Sequence, residues 1–270
     1  MNAGIERQTA LLLAAILGTL LLSSGIALAA TISCQVGLDC LGTKKADTLT
    51  GTASLDDIYG RGGGDTLKGF GETDRLLGQS GKDRLLGGPT YDYMVGGAGN
   101  DALSGGGGPD EYYFGDGWGK DTITDAATPN TKVRFHDLQA GTPNTEGVIV
   151  DLVSGAGPEA KDESGANTIN WDGSVVDTVF GGDGDDRITG NGYANRIGGG
   201  DGADTIQGDE GDDLVYGQDG DDEIHVDDGS TGDAVHCGAG EDTVSFDAFD
   251  PYGFIRDSIG PDCEHLVANL

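Results

Sequence analysis

The sequence predicts a repeat protein in which glycine-rich turns alternate with short apolar segments. Glycine supplies 51 of the 270 residues, far above its usual share of about 7%. Glycine, aspartate and one large apolar residue also recur together every nine residues over two long stretches. The glycines do not recur every third residue, which excludes collagen. The fixed spacing of the apolar residues argues against an acidic disordered chain.

The chain is strongly acidic. It carries 47 Asp and Glu residues against 15 Lys and Arg, which gives a formal net charge of −32. Such a surface repels nucleic acids and anionic membranes and attracts multivalent cations. In "GGDGDDRITGN" (residues 181–191) the acids stand close enough to repel one another, and each ordered glycine costs backbone entropy. A stretch of this kind needs a neutralising ligand to become ordered.

Residues 1–29 have the layout of a secretory signal peptide. A polar start containing Arg7 precedes the apolar run "LLLAAILGTLLL" (Leu11–Leu22), and "ALA" at Ala27–Ala29 matches a cleavage site. We therefore expect a mature chain that begins at Ala30, is secreted and has no membrane span. An uncleaved anchor is the alternative, because the apolar run is almost long enough to cross a bilayer.

Four cysteines fit an oxidising, extracellular compartment. Two lie in the lead-in at residues 30–41 and two near the C-terminus: Cys34, Cys40, Cys237 and Cys263. Three pairings are possible. We favour Cys34 with Cys40 and Cys237 with Cys263, since each bond closes a local loop at one end of the chain. His236 and His265 flank the second pair, so a zinc site is the alternative there.

The nine-residue repeat occurs in two blocks, residues 42–125 and residues 172–246. In each repeat an aspartate follows a glycine by five positions, and an apolar residue follows the aspartate by two. The first block holds Asp47, Asp56, Asp65, Asp74, Asp83, Asp92, Asp101, Asp110 and, after a two-residue insertion, Asp121. In the second block the same column holds Asp186, Asn195, Asp204, Asp213 and Asp222. Three columns in one register indicate a true internal repeat.

The repeat unit is G-G-x-G-x-D-x-U-x, where U is a large apolar residue. The best copies are "GGAGNDALS" (96–104), "GGDGDDRIT" (181–189) and "GGDGADTIQ" (199–207). The unit resembles the repeats-in-toxin, or haemolysin-type calcium-binding, family. This resemblance implies an all-β fold, a right-handed parallel β-roll (β-solenoid), in which G-G-x-G-x-D is a turn and x-U-x a short strand. It further implies that two nonapeptides complete one coil and that several Ca²⁺ ions lie between turns of successive coils.

The chemistry of the residues supports this interpretation independently. Calcium takes six to eight oxygen ligands from carboxylates and backbone carbonyls. Glycine lets the chain curl so that carbonyls converge, and one aspartate per turn supplies charge. A single apolar residue per strand makes a thin core, so each coil depends on its neighbours and on the ions. We therefore expect folding to be coupled to calcium.

A second period, of eighteen residues, separates the turns into a well-formed and a degenerate set. The glycine two positions before the aspartate is present at Gly63, Gly81 and Gly99, but Ser54, Glu72 and Thr90 stand there in the intervening repeats. The well-formed turns give the candidate calcium ligands Asp65, Asp83, Asp101, Asp186, Asp204 and Asp222. Asp92, Asp110 and Asp213 are weaker candidates. Asp183, Asp201 and Asp219, which also recur every eighteen residues, complete the set.

Residues 126–171 lose the repeat. "TKVRF" (131–135) and "GVIVDL" (147–152) alternate as half-buried strands do, whereas "SGAGPEAKDESGAN" (154–167) has the composition of a loop. This insert is either a wider coil of one continuous roll, which we favour, or a spacer between two rolls. Residues 247–270 are predicted to cap the exposed end of the roll, with an aromatic ligand-binding patch as the alternative.

The sequence contains no G-x-S-x-G, no H-E-x-x-H and no phosphate-binding loop with its lysine. The insert is too short to form an independent catalytic domain. The principal hypothesis is an exported, non-enzymatic, monomeric calcium-binding protein. A second hypothesis is an adhesin or extracellular matrix module that uses the calcium-stiffened roll to bind a cell-surface or polysaccharide ligand. A third is a hydrolase with a site in residues 126–171.

Overall fold

The computed structural model describes residues 29–115, 117–124, 131–135, 148–151, 160–162, 168–171, 176–229, 232–248 and 257–269. These residues form strands, bends and turns, and none of them is helical. The predicted signal peptide lies outside the described residues except for Ala29. No described segment therefore forms a helix with the length and hydrophobicity that a membrane crossing requires.

The described chain contains short strands that follow one another at nearly even spacing. In chain order they are β1 (Ala30–Ser33), β2 (Cys40–Leu41), β3 (Asp47–Thr50), β4 (Asp57–Gly62), β5 (Thr66–Lys68), β6 (Arg75–Gly81), β7 (Arg84–Gly88), β8 (Tyr93–Gly99), β9 (Ala102–Gly106), β10 (Glu111–Tyr113), β11 (Lys120–Ile123), β12 (Thr131–Arg134), β13 (Val148–Asp151), β14 (Ala160–Asp162), β15 (Thr168–Trp171), β16 (Val176–Phe180), β17 (Arg187–Thr189), β18 (Arg196–Asp201), β19 (Thr205–Gln207), β20 (Leu214–Asp219), β21 (Glu223–Val226), β22 (Ala234–Ala239), β23 (Thr243–Asp247), β24 (Ser258–Ile259) and β25 (His265–Asn269). They form a 14-stranded sheet and an 11-stranded sheet.

Within the repeat blocks the chain alternates between the two sheets. Each strand pairs in parallel with the strand two positions further along the chain, as in β3–β5–β7 and β4–β6–β8. The register places Leu49 beside Leu67 and Leu67 beside Leu85, a step of eighteen residues. Two nonapeptides thus complete one coil, and the fold is the all-β, parallel β-roll that the sequence predicts.

The core lies between the two sheets and consists of the apolar column of the repeat. Its members are at most 1% exposed: Leu49, Ile58, Leu67, Leu76, Leu85, Met94, Leu103, Tyr112, Ile123, Ile188, Ile197, Ile206, Val215 and Ile224. Burial of one such side chain contributes about 1.5–3 kcal/mol. One residue per strand gives the core little depth, so a coil gains most of its stability from the coils on either side.

A cluster of aromatic residues fills the core where the repeat is interrupted. The rings of Phe114, Trp118 and Phe135 lie 5.4 to 6.2 Å apart, centroid to centroid, and all three side chains are buried. At this point the spacing between stacked aspartates grows from eighteen to twenty residues, from Asp101 to Asp121. The larger rings occupy the extra space that a wider coil encloses.

Both sheets continue through the insert. In one sheet β10, β12, β16 and β18 are successive neighbours, and in the other β11 connects to β17 through β15, β14 and β13. The strands predicted at "TKVRF" and "GVIVDL" are confirmed as β12 and β13. The prediction of a loop throughout residues 154–167 is wrong at β14, which pairs antiparallel with both of its neighbours. Without a glycine–aspartate turn between β13 and β14, the chain turns back on itself instead of advancing one coil.

Both favoured disulfides are present. Cys34 bonds to Cys40, and Cys237 bonds to Cys263. The sulfurs of the second pair are therefore not available to zinc. His236 stacks on Tyr216, and His265 lies 3.4 Å from a carboxylate oxygen of Glu241.

The C-terminal segment supplies one more strand to each sheet. β24 pairs with β22, and β25 pairs with β23. The predicted aromatic patch falls largely on residues 249–256, which lie outside the described residues. The cap at 247–270 therefore stays a prediction.

Loss of the Cys237–Cys263 bond should destabilise the C-terminal end of the roll. The bond closes a loop with a sequence separation of 26 residues, and loop-closure entropy predicts about 3.5 kcal/mol for that length. The matched change is removal of Cys34–Cys40, whose separation is 6 and whose expected cost is about 2 kcal/mol. Denaturant unfolding of the two double-serine variants in saturating calcium measures both. A larger loss for the N-terminal pair would contradict this order.

Candidate metal centre

The glycine-rich turns stack directly on one another along the edges of the roll. Gly63, Gly81 and Gly99 occupy equivalent positions in successive coils and have φ of 107°, 141° and 157°. A Cβ atom on Gly81 would lie 1.5 Å from the carbonyl oxygen of Gly63, and one on Gly99 would lie 1.5 Å from that of Gly81. Only glycine allows backbone to approach backbone this closely, so the turn carbonyls are brought together coil upon coil.

Within each block the turn aspartates form a ladder between coils. Beyond the first coil of a block, the Oδ1 atom of each ladder aspartate accepts a hydrogen bond from the backbone N–H of the aspartate or asparagine one coil earlier. The distance is 2.7 Å from Asp47 to Asp65, 2.7 Å from Asp65 to Asp83, and 2.8 Å from Asp83 to Asp101. In the second block the same bonds join Asp186 to Asp204 and Asp204 to Asp222. Each carboxylate is thus held in one orientation by the neighbouring turn.

The candidate ligands fall on two edges of the roll. Edge 1 is where the chain passes from the 11-stranded to the 14-stranded sheet, and it holds Asp65, Asp83, Asp101, Asp186, Asp204 and Asp222. The opposite edge, edge 2, holds the weaker candidates Asp92, Asp110 and Asp213. Oδ1 of Asp110 accepts from the Asp92 backbone at 2.9 Å, and Asn195 takes the aspartate's place in the ladder before Asp213. The well-formed turns of both blocks therefore lie on one edge.

The second carboxylate oxygen, Oδ2, has different surroundings at the start of a block and in its interior. Oδ2 of Asp186, at the start of the second block, accepts the backbone N–H of Gly182 at 2.8 Å. Oδ2 of Asp65, Asp83, Asp101, Asp204, Asp213 and Asp222 is buried without a hydrogen-bond partner. A buried charged oxygen without a hydrogen-bond partner costs desolvation free energy, which a bound cation or a proton would offset.

Burial raises the pKa of these carboxyl groups. It raises the pKa of Asp65 and Asp222 to about 6, that of Asp101 and Asp204 to about 7, and that of Asp213 to about 8. The hydrogen bond from the neighbouring turn opposes this effect, and the charges of stacked aspartates add to it. The ladder is thus a column of like charges in a poorly solvated place, which a bound cation would neutralise.

The remaining candidates lie elsewhere in the same turns. The side chains of Asp183, Asp201 and Asp219 are exposed, and Asp201 and Asp219 are register partners on β18 and β20. The structure does not bring these three carboxylates into the buried ladder. They line the outside of edge 1.

Among the further aspartates at ladder positions, three resemble the candidates in the surroundings of Oδ2. Asp74, Asp121 and Asp242 are buried, and their Oδ2 atoms also have no hydrogen-bond partner. Asp121 and Asp242 follow two-residue insertions that break the eighteen-residue period. Asp74 stands in a turn that lacks the second glycine. In the sequence, the apolar residue two positions after each of these aspartates is the feature that marks it as a ladder position.

The donor set of the turns suits a hard cation. Across the part of the chain that the structure describes, no group of three or more His, Cys, Asp or Glu side chains is arranged to hold a metal ion. A site on edge 1 would combine one carboxylate per turn with the converging backbone carbonyls. Oxygen-only ligation of this kind fits Ca²⁺ and does not fit zinc or copper, which prefer nitrogen and sulfur.

In the absence of calcium, the stability of the roll should fall as the pH rises from about 4 to about 8. The buried aspartates have a pKa near 3.8 when unfolded and about 6 to about 8 in the roll, so the folded chain binds more protons across that window. This stabilisation is fully present below the unfolded pKa and is lost as the pH passes the folded pKa. Thermal unfolding in excess chelator should therefore give a lower Tm at about pH 8 than at about pH 5. A Tm at about pH 8 that equals or exceeds the Tm at about pH 5 would contradict the raised pKa of the buried aspartates.

Comparison with known families agrees with this geometry. The profile of the RTX calcium-binding nonapeptide repeat matches residues 41–67, 68–103, 77–112, 92–123, 172–197 and 198–231, together more than half of the chain. The matches include every candidate aspartate on both edges. No curated protein sequence matches the chain. Because the repeat profile covers both blocks, the chain belongs to the family of RTX calcium-binding nonapeptide repeat proteins.

Proposed function

We propose that this protein is an exported β-roll whose folding is driven by Ca²⁺ ions bound between successive turns of edge 1. The observation that carries the proposal is the row of buried Oδ2 atoms without hydrogen-bond partners. Membership of a calcium-binding repeat family supports the identity of the ion. The converging turn carbonyls and the stacked carboxylates supply the oxygen ligands that Ca²⁺ requires.

The proposed sites lie between aspartates that are one coil apart. In the first block they lie between Asp65 and Asp83 and between Asp83 and Asp101. In the second block they involve Asp186, Asp204 and Asp222. Each ion would neutralise parts of two turns at once, so binding at one site orders the turn that the next site needs. We expect cooperative binding for this reason, with affinity near the range of about 10⁻⁴ to 10⁻³ M seen in extracellular calcium modules.

Edge 2 is assigned weaker calcium sites than edge 1. Its turns lack the second glycine at several positions, and Asn195 replaces a carboxylate there. Asp92, Asp110 and Asp213 lie in the same kind of ladder, so we assign them to sites that fill only at higher calcium concentration. The exposed Asp183, Asp201 and Asp219 are assigned a supporting role, in which they raise the local concentration of cations.

Export is the second part of the proposal. The apolar N-terminal segment, the cleavage pattern before Ala30 and the two disulfides support a location outside the cytoplasm. Calcium at extracellular concentrations would then be available to the folding chain. The expected product of export has Ala30 as its first residue.

Equilibrium dialysis of the full chain against calcium at neutral pH tests the ion assignment. We expect several Ca²⁺ ions bound per chain and much weaker binding of Mg²⁺, which demands near-octahedral geometry and gives up its water reluctantly. Binding of less than one calcium ion per chain, or equal binding of the two metals, would contradict the proposal.

A further inference from the structure

The outward face of the 11-stranded sheet differs from the rest of the molecule over strands β12, β16, β18, β20 and β22. The inward residues of these strands are completely buried: Val133, Val179, Ile197, Val215 and Val235. Because side chains alternate along a strand, the residues on either side of each of these point outward. Ten outward positions on five successive strands therefore form one continuous surface.

Arginine and aromatic side chains stack along this surface. The Arg134 guanidinium lies 4.3 Å from the ring centroid of Phe180, and that of Arg196 lies 6.0 Å from Phe180 and 4.9 Å from Tyr216. The rings of Tyr216 and His236 are stacked at 5.2 Å with an interplanar angle of 16°. We name these five residues, Arg134, Phe180, Arg196, Tyr216 and His236, the arginine–aromatic row.

A glycine makes room for this packing. Gly198 is the register partner of both Phe180 and Tyr216. A Cβ atom at this position would lie 2.6 Å from Cδ1 of Phe180. The Phe180 ring therefore lies over the backbone of the next strand, and the row stays continuous from one strand to the next.

The surface is free of acidic side chains although the chain as a whole has 47 of them. None of the ten outward positions holds Asp or Glu, whereas Lys132, Arg134 and Arg196 are among them. The acids of these five strands stand at or near strand ends, at Asp177, Asp201 and Asp219. On the adjacent strand β10, Glu111 accepts a hydrogen bond from Lys132 at 2.7 Å and lies 3.6 Å from Arg134. That one carboxylate faces two cations, so the surface keeps an excess of positive charge.

Arg196 is the best placed of these cations to meet a ligand. Its side chain is exposed, and within the described residues it forms no ion pair. A guanidinium that stacks on aromatic rings through its face keeps its N–H groups free at the edge, where they fit a carboxylate in a bidentate manner. The Phe180 and Tyr216 rings beside it are partly exposed to solvent.

We propose that the arginine–aromatic row binds a linear polysaccharide that carries carboxylate groups. The apolar faces of sugar rings suit the solvent-exposed parts of the Phe180, Tyr216 and His236 rings, and sugar carboxylates suit Arg196 and Arg134. Neighbouring strands repeat at about 4.8 Å, so the row presents these contacts at regular intervals to an extended repeating ligand. A narrow chain along the row meets mainly the row's own positive charge, because charges beyond about 8–10 Å are largely screened at physiological salt. A duplex nucleic acid is wide enough to meet the acidic edges as well.

Binding to two soluble cellulose derivatives tests the proposal. Carboxymethyl cellulose and hydroxyethyl cellulose share a backbone, and only the first carries carboxylates. With the full chain in excess calcium, we expect affinity for carboxymethyl cellulose at least about tenfold above that for hydroxyethyl cellulose, as loss of a charge-assisted hydrogen bond implies. Absence of binding to carboxymethyl cellulose overturns the proposal.

Two arginine variants locate the site. Arg196→Gln should weaken binding about tenfold. Arg187→Gln makes the same change of charge at an exposed position on the outward face of the 14-stranded sheet, and it should change the affinity less than about twofold. Circular dichroism of both variants in calcium shows whether the roll is intact. Equal weakening by the two variants would mean that net charge alone attracts the polymer, which overturns the assignment to the row.

The remaining outcomes separate this proposal from calcium-driven folding. Should the chain be folded in chelator and still bind carboxymethyl cellulose, the row stands and the calcium proposal falls. Should calcium fold the chain but the polymer not bind, the reverse holds. Self-association of the chain that Arg196→Gln abolishes, without polymer binding, would make the row an interface between two copies and overturn the proposal.

Discussion

Replacement of Asp204 by asparagine should have opposite effects on the roll with and without calcium. In chelator at about pH 8 the variant should unfold at a higher temperature than the wild type, because burial raises the pKa of Asp204 to about 7 and the wild type must hold a buried charge there. In calcium the variant loses a charged ligand. The calcium concentration at half-folding should rise by at least about tenfold, since even partners of metal ligands cost about 10–100-fold when mutated.

Asparagine fits this position without disturbing the backbone. At Asn195 the chain already uses an amide in a turn ladder: its Oδ1 accepts the backbone N–H of Asn191 at 2.8 Å, and its backbone N–H donates to Asp213. The matched control is Asp201→Asn, which makes the same change of charge in the same turn at an exposed side chain. We expect a shift of less than about twofold in the calcium midpoint for the control. Equal shifts for the two variants would contradict a binding site in the buried ladder and favour the exposed carboxylates of Asp183, Asp201 and Asp219.

Replacement of Gly81 by alanine should destabilise the roll by at least about 3 kcal/mol. Gly81 has φ of 141°, and its new Cβ atom would lie 1.5 Å from the carbonyl oxygen of Gly63. That oxygen belongs to the backbone of the neighbouring turn, so relief of the clash requires two coils to move apart. The separation would also displace the carbonyls that we assign to calcium, and the calcium midpoint should rise with the loss of stability.

Gly62→Ala is the matched control for this change. A Cβ atom at Gly62 would find its nearest neighbour, the side-chain oxygen of Ser80, at 3.4 Å. Urea unfolding in saturating calcium should give a difference of less than about 1 kcal/mol from the wild type for this variant. Equal stabilities of the Gly81 and Gly62 variants would show that the coils are not in backbone contact at the turns.

The regular parts of the fold are predictable from the sequence because each position of the repeat keeps one residue type with one structural role. The column that contains Leu49, Leu67 and Leu85 stays in register only if each strand stacks on its equivalent one coil later. Glycine two positions before the aspartate, as at Gly81, marks the turns where backbones touch. The local disulfides follow from the same logic, since their partners are close in sequence.

The irregular parts have no such signal. β14 lies in a segment with the composition of a loop, and its strand character comes from pairing with β13 and β15 rather than from its own residues. The packing of Trp118 against Phe114 and Phe135 depends on how far the coil widens, which the spacing of residues does not specify. The arginine–aromatic row was missed because its members come from positions that the repeat leaves variable. They align only when the register through the insert is known.

A calcium titration at about pH 8, started from chelated protein and followed by circular dichroism, shows whether calcium drives the folding of the roll. We expect a partial β-signal in chelator, because the stacked carboxylates are then ionised and uncompensated and the roll is only marginally stable. Added calcium should give a large, cooperative gain of β-signal. Magnesium at the same concentration should give no such gain. A full β-signal in chelator at this pH, unchanged by calcium, would contradict calcium-driven folding and leave the roll a scaffold that does not need the ion.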